Sequence, residues 1–160
     1  MVPAQMIKDF ADEIKMALTE AGFMLPDETG KLQLSNVYAH ALPPPKRDDP
    51  AKVPWVLVYL HTGAQSSASE PRVVTVHITC MTYDDKDNMQ GYIDAMNLLE
   101  LICQYLYGKT IIAKRYSVTY PYQFAVLDDA KFPYFSAGLS ISVKLPGTTP
   151  QNQIGGYAYV

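Results

Sequence analysis

Hydrophobic positions recur along this chain with two periods. Met6, Ile7, Phe10, Ile14, Leu18 and Ala21 fall at three- and four-residue spacing, with Lys8, Asp9, Asp12, Glu13 and Glu20 between them. That is the pattern of a helix with one apolar stripe, and Gly22 supplies a left-handed stop. A second helical run follows later: Met89, Ile93, Met96, Leu99, Cys103 and Leu106 form a stripe that Tyr92, Leu98, Ile102 and Tyr105 widen. Gln90, Asp94, Asn97 and Gln104 form a narrow polar face, interrupted by Leu101, before Gly108 ends the run. A helix this apolar is expected to be covered partly by its own domain and partly by another subunit.

Strand patterns fill the rest. A short one spans residues 32–39. "WVLVYLH" is apolar on both alternating sets, as in a strand covered on both faces. "RVVTVHITCMTY" alternates, with Val74, Val76, Ile78 and Cys80 on one side. In "IIAKRYSVTYPYQFAV" the even positions Tyr116, Val118, Tyr120, Tyr122, Phe124 and Val126 are apolar, and Pro121 predicts a bulge or an edge position. In "FPYFSAGLSISVKLP" the odd positions from Phe135 to Leu145 are apolar and alternate with serine and lysine. The order α-β-ββ-α-ββ predicts an α+β fold: a mainly antiparallel sheet built from hairpins, with two helices packed on one face. Residues 1–146 make one domain on this reading, and residues 147–160, "GTTPQNQIGGYAYV", a C-terminal arm that is either loose or laid on a neighbour.

The connections suggest where partners bind. "ALPPPKRDDPAKVP" cannot enter a central strand and favours an extended backbone. It reads either as a proline-rich ligand or, since strands of the same domain bracket it, as a stiff loop presenting Lys46, Arg47, Asp48 and Asp49. "TGAQSSASEP" is a small-residue loop that ends near Glu70 and Arg72. With Leu101, Tyr120, Tyr122 and Tyr134, and with Tyr157 and Tyr159 of the arm, these are the candidate interface residues.

Composition narrows the classes. With 160 residues the chain has the length of one domain, able to bury about 70% of its unfolded surface. At 48% hydrophobic and 18% charged it reads as globular rather than disordered. A formal charge of −3 gives no cationic surplus to displace counterions, so direct sequence-specific nucleic-acid binding is not expected. Cys80 and Cys103 have neither zinc nor redox spacing. No apolar run is long enough for a membrane span, and the N-terminus lacks an export-signal pattern, which predicts a soluble chain.

Candidate chemistry is thin. Counting from the loop centre places His61 opposite residue 73, roughly 13 Å along the strand from His77, too far apart for one metal ion. His40 stands alone. Asp84, Asp85 and Asp87 crowd the start of the second helix, but neither frame fits a calcium loop and no histidine, cysteine or serine motif stands nearby. A helix start explains them: Asp84 or Asp85 as cap, Asp87 and Asn88 in the first turn. No cofactor or metal site is expected, and no enzyme signature is present.

A strand ending in "TYDD", then "DNMQGYIDAMNLLELICQYL", a tyrosine-rich strand and "FPYFSAGLSISVKLP" together resemble the tail-terminator (tail-completion) proteins of long-tailed bacteriophages. The resemblance covers residues 53–146. It rests on the Tyr-Asp strand end, on Gly91 and Tyr92 followed by Asp94, Asn97, Leu98 and Glu100, and on Pro133 beside Tyr134 and Phe135. It implies a structural virion protein: a homo-oligomeric ring, typically a hexamer, that caps the tail tube and joins it to the head-neck connector. The partners implied are other copies of the chain, the tail-tube protein and the connector protein, with assembly in the host cytoplasm. The proline-rich loop and the Gly/Tyr arm depart from the family pattern, which leaves the partner surfaces open. Two other readings remain: another neck, head-closure or injection-system component, and a small-molecule-binding domain or hydrolase using residues 84–87 with His77.

Overall fold

The computed structural model describes residues 3–43, 52–86, 88–127 and 131–145. The first apolar stripe becomes helix α1 (Pro3–Ala21), with Met6, Ile7, Phe10, Ile14 and Leu18 buried. Gly22 takes φ +62° and ends it, as its lack of a Cβ allows. Three short strands follow, β1 (Met24–Pro26), β2 (Leu32–Leu34) and β3 (Asn36–Ala39), then β4 (Trp55–Ala64) and β5 (Arg72–Tyr83). Helix α2 (Gln90–Lys109) precedes β6 (Ile111–Ile112), β7 (Tyr116–Leu127) and β8 (Tyr134–Leu145).

Six strands form one sheet in the order β3-β4-β5-β8-β7-β6, and β1 pairs with β2 in a separate ribbon. Both helices pack on one face. Val56 and Val58 of β4, Val74, Val76, Ile78 and Cys80 of β5, and Ala137, Leu139, Ile141 and Val143 of β8 meet them in a continuous core. The fold is α+β and mainly antiparallel. Among the described residues, no helix is long and apolar enough to cross a membrane.

Four expectations need correction. The run 32–39 is not one strand: it changes sheets at buried Ser35, pairing with β1 before it and with β4 after it. The β3–β4 pair is parallel, because the chain returns through the proline-rich segment instead of a tight turn. Strand β4 is not covered on both faces; Leu57 and Tyr59, on the side away from the helices, are only half-buried. Finally, α2 runs past Gly108 to Lys109 and is closed by Thr110 at φ 61°, whose N–H bonds the Leu106 carbonyl at 2.9 Å.

Pro121 sits where its sequence indicated. Thr119 pairs with Ser142 and Tyr122 with Ile141, so Tyr120 and Pro121 are extra residues bulged out of the β7–β8 ladder. Two inserted residues preserve the alternation. Tyr122, Phe124 and Val126 therefore stay on the helix-bearing face of the sheet, with Tyr116 and Val118.

Candidate functional site

The segments that carry the sequence resemblance converge at the start of α2. Thr82, buried at the end of β5, donates from its hydroxyl to the Gly91 carbonyl at 2.8 Å. The helix start thereby approaches β8 so closely that a Cβ on Gly91 would overlap the Phe135 ring. Tyr92 stands edge-on to Phe135 at 4.6 Å, and Tyr83 edge-on to Tyr134 at 5.5 Å. This corner is a packing device.

Asp84 and Asp85, beside it, do not cap the helix among the described residues. The Asp84 carboxylate accepts the Lys86 N–H at 3.1 Å in a local turn, and its second oxygen is buried without a hydrogen-bond partner among the described residues. Asn88 is the residue that bonds the helix start, accepting from the Gln90 N–H at 3.2 Å. Met89 occupies the cap position with φ 57° and no side-chain bond of its own. The chain needs that left-handed step to turn from the β5 end into α2, which moves the helix start beyond Asp84 and Asp85. Asp87 lies outside the described residues.

The histidine geometry is also corrected. Tyr59 pairs with His77 and Leu60 with Val76, and a shift between Leu60 and Thr62 leaves His61 as an extra residue beside them. The His61 and His77 rings stack at 4.2 Å and 14°, and Tyr59 meets His77 edge-on, with its hydroxyl 3.3 Å from Nδ1. Burial, and then the proximity of His61, push the His77 pKa down. Stacked rings present faces, not converging lone pairs. Among the described residues no group of three or more His, Cys, Asp and Glu is placed to hold a metal.

The surface that stands out is apolar. Beyond its two-residue pairing with β6, the outer edge of β7 from Tyr120 to Leu127 meets no strand among the described residues. Along it Tyr120 is 73%, Phe124 61% and Val126 41% exposed, on a chain where comparable side chains of β5 and β8 are buried. Across from it, Met96 of α2 is likewise exposed. Between strand and helix lies a groove of about 440 Å³ lined by Met96, Leu99, Cys103, Phe124, Val126 and Leu139, with Glu100 its one charged residue among the described ones. The physical cause is a mismatch of widths: the helix layer does not reach the outer half of β7, whose even positions point toward it nonetheless.

At the inner end of this edge stand three tyrosines. Tyr107 stacks on Tyr120 at 4.9 Å and lies 5.0 Å from Tyr122, while its hydroxyl donates to the Thr119 carbonyl at 2.8 Å. Burial, aided by Cys103, Tyr120 and Tyr122, pushes the Tyr107 pKa up to about 12, so that this donor stays protonated. Tyr107 thus braces the bulge from below.

The candidate interface residues distribute unevenly over this geometry. Tyr120 and Tyr122 lie together on the exposed edge. Leu101 is half-buried on α2 and packs against the core. Tyr134 is half-buried beside Tyr83, while Arg72 pairs with Leu145 at the far end of the same two strands, with exposed Glu70 just before it. Lys46, Arg47, Asp48, Asp49, Tyr157 and Tyr159 lie outside the described residues. Sequence reasoning did not single out Phe124, Val126, Met96 or Tyr107 for this surface. The signal was present in the unusually apolar second helix, but periodicity alone does not say which half of a stripe stays bare.

No family model and no curated protein matches the chain. Among solved structures, it is similar to a chain of one described as "Virion of native gene transfer agent (GTA) particle", at 14% identity and a TM-score of 0.41, covering 69% of this chain and 78% of that chain.

Proposed function

We propose that this protein is a structural component of a phage-type virion, a tail terminator whose copies form a ring that caps the tail tube and joins it to the head-neck connector. The observation that carries the self-association in this reading is the exposed apolar edge of β7 with its groove against α2. A closed ring requires two different complementary patches per subunit, and a strand edge that no described strand pairs, rich in aromatic side chains, is one such patch. The sequence resemblance over residues 53–146 supplies the tail-terminator assignment. The similarity to a gene transfer agent particle chain is of a kind with this reading and carries none of its weight. No reaction is assigned to the protein: stacked histidines and a turn-forming Asp84 offer no activated nucleophile or acid–base pair.

Native mass spectrometry and light scattering across a wide concentration range test the reading. A discrete closed species, hexamer-sized, is expected, alone or on addition of tail tubes. A strict monomer under both conditions overturns it. Binding to portal-side connectors but not to tubes would reassign the protein to another position in the neck.

A further inference from the structure

The groove beside β7 needs an occupant with three properties. It must offer a strand to residues 121–127, aromatic or aliphatic side chains to a volume of about 440 Å³, and no charged side chain to a lining whose one charged member among the described residues is Glu100. The chain contains a segment with all three outside the described residues. Residues 146–160, "PGTTPQNQIGGYAYV", carry no charged side chain and end in Ile154, Tyr157, Tyr159 and Val160. In an extended strand Tyr157 and Tyr159 share a face, two residues apart.

The topology decides whose segment it is. Strand β8 ends at Leu145, paired with Arg72, and its Lys144 sits beside Ser117. The groove lies at the other end of β8, beside Ala137 and Leu139. Strand β6 occupies the β7 edge at Tyr116 and Ser117, between that exit and the free edge. A chain's own tail would have to pass around β6 and reverse before reaching the groove. A neighbour's tail meets no such obstacle, and residues 152–160 span roughly 30 Å when extended, more than the roughly 23 Å of edge available.

We infer that the groove and free edge of β7 receive residues 152–160 of a neighbouring copy, which add as a strand and seat Tyr157 or Tyr159 between Phe124 and Met96. The inference rests on the ring reading in that copies must meet, and it names the contact through which they do so. Residues 121–127 gain backbone partners, and the apolar side chains of the groove leave water.

The test uses the full chain. One copy carries the photoreactive aromatic p-benzoylphenylalanine in place of Tyr157. It is mixed at low concentration with isotopically heavy, unmodified chain, concentrated, irradiated and mapped by peptide mass spectrometry, with the solution mass measured on the same samples. The expected result is cross-linking from position 157 to Met96, Phe124 or Val126 of the heavy copy. A Phe124→Ser substitution in that copy lowers the yield by about tenfold or more. Cross-links to the groove of the same chain, or to another surface of the neighbour, overturn the inference. Absent tail cross-links with a ring-sized mass also overturn it but leave the ring standing. A monomeric mass at every concentration, even with tail tubes present, removes both.

Discussion

Gly91 is the residue on which the α2–β8 contact turns. Two opposed effects meet there when a methyl is added. Alanine is the better helix former by about 0.5–1 kcal/mol, yet the new Cβ would meet ring atoms of Phe135, which is 4% exposed and wedged between Tyr92 and Phe132. A ring held on two sides cannot withdraw, so overpacking wins. Gly91→Ala is expected to destabilise by about 1–3 kcal/mol in urea titration; a neutral or stabilising result would show that the helix start can lift away. Glu13 offers a second test. It accepts from Tyr105 at 2.8 Å and pairs with Lys109 at 3.0 Å, tying α1 to α2. Burial alone would raise its pKa, but the bonds from Lys109 and Tyr105 outweigh it and hold the carboxyl below its usual value. With the folded pKa depressed, the contribution is complete above the unfolded value, about 4.3–4.5, and is lost as pH falls through the folded one. Glu13→Gln should therefore lower stability by about 1 kcal/mol at pH 7. The gap to the parent chain should close between pH 5 and pH 3; a gap independent of pH would assign the effect to packing.

At the scale of elements, the two helices were legible because their stripes run for about four to five turns each, and β8 because its odd positions alternate without a break. Boundaries were less so. The start of α2 reads as an aspartate cap from composition, whereas Met89 takes that position and Asn88 supplies the side-chain bond to the helix start. Asn88→Ala is expected to lower stability by about 0.5–1 kcal/mol, while Asp85→Ala, on an exposed residue ahead of the helix, should leave the melting temperature nearly unchanged; the reverse ranking would restore the aspartate cap. Strands β1 and β6, with three and two residues, lie below the length at which periodicity carries a signal. The bulge at Pro121 was readable because proline lacks the N–H that a continued ladder needs. The approach of His61 to His77 was not, because one inserted residue moves the register and nothing in the loop composition announces it.

For the whole molecule the informative feature is where the layers fail to match. Helix α2 covers β5 and β8 but leaves the outer half of β7 with its aromatic side chains in water. Removing one should be nearly free for the isolated fold and expensive for assembly. Phe124→Ser is expected to leave the unfolding free energy of the monomer within about 0.5 kcal/mol of the parent chain and to weaken self-association by at least tenfold, read by analytical ultracentrifugation. An unfolded variant would instead place Phe124 among the folding residues, and an unchanged mass would free this edge from the ring. The residue types and their spacing determined by themselves that two amphipathic helices and a set of alternating strands would form, that α+β was the class, and that one helix was apolar nearly all round. These follow from local rules, the 3.6- and 2-residue periods and the conformations open to glycine and proline. Only the tertiary structure decided which strands became edges, that β3 runs parallel to β4, that the histidines stack, and which half of the apolar stripe stays bare. Those outcomes depend on register and on the relative widths of two packed layers, quantities that arise between segments far apart in the chain.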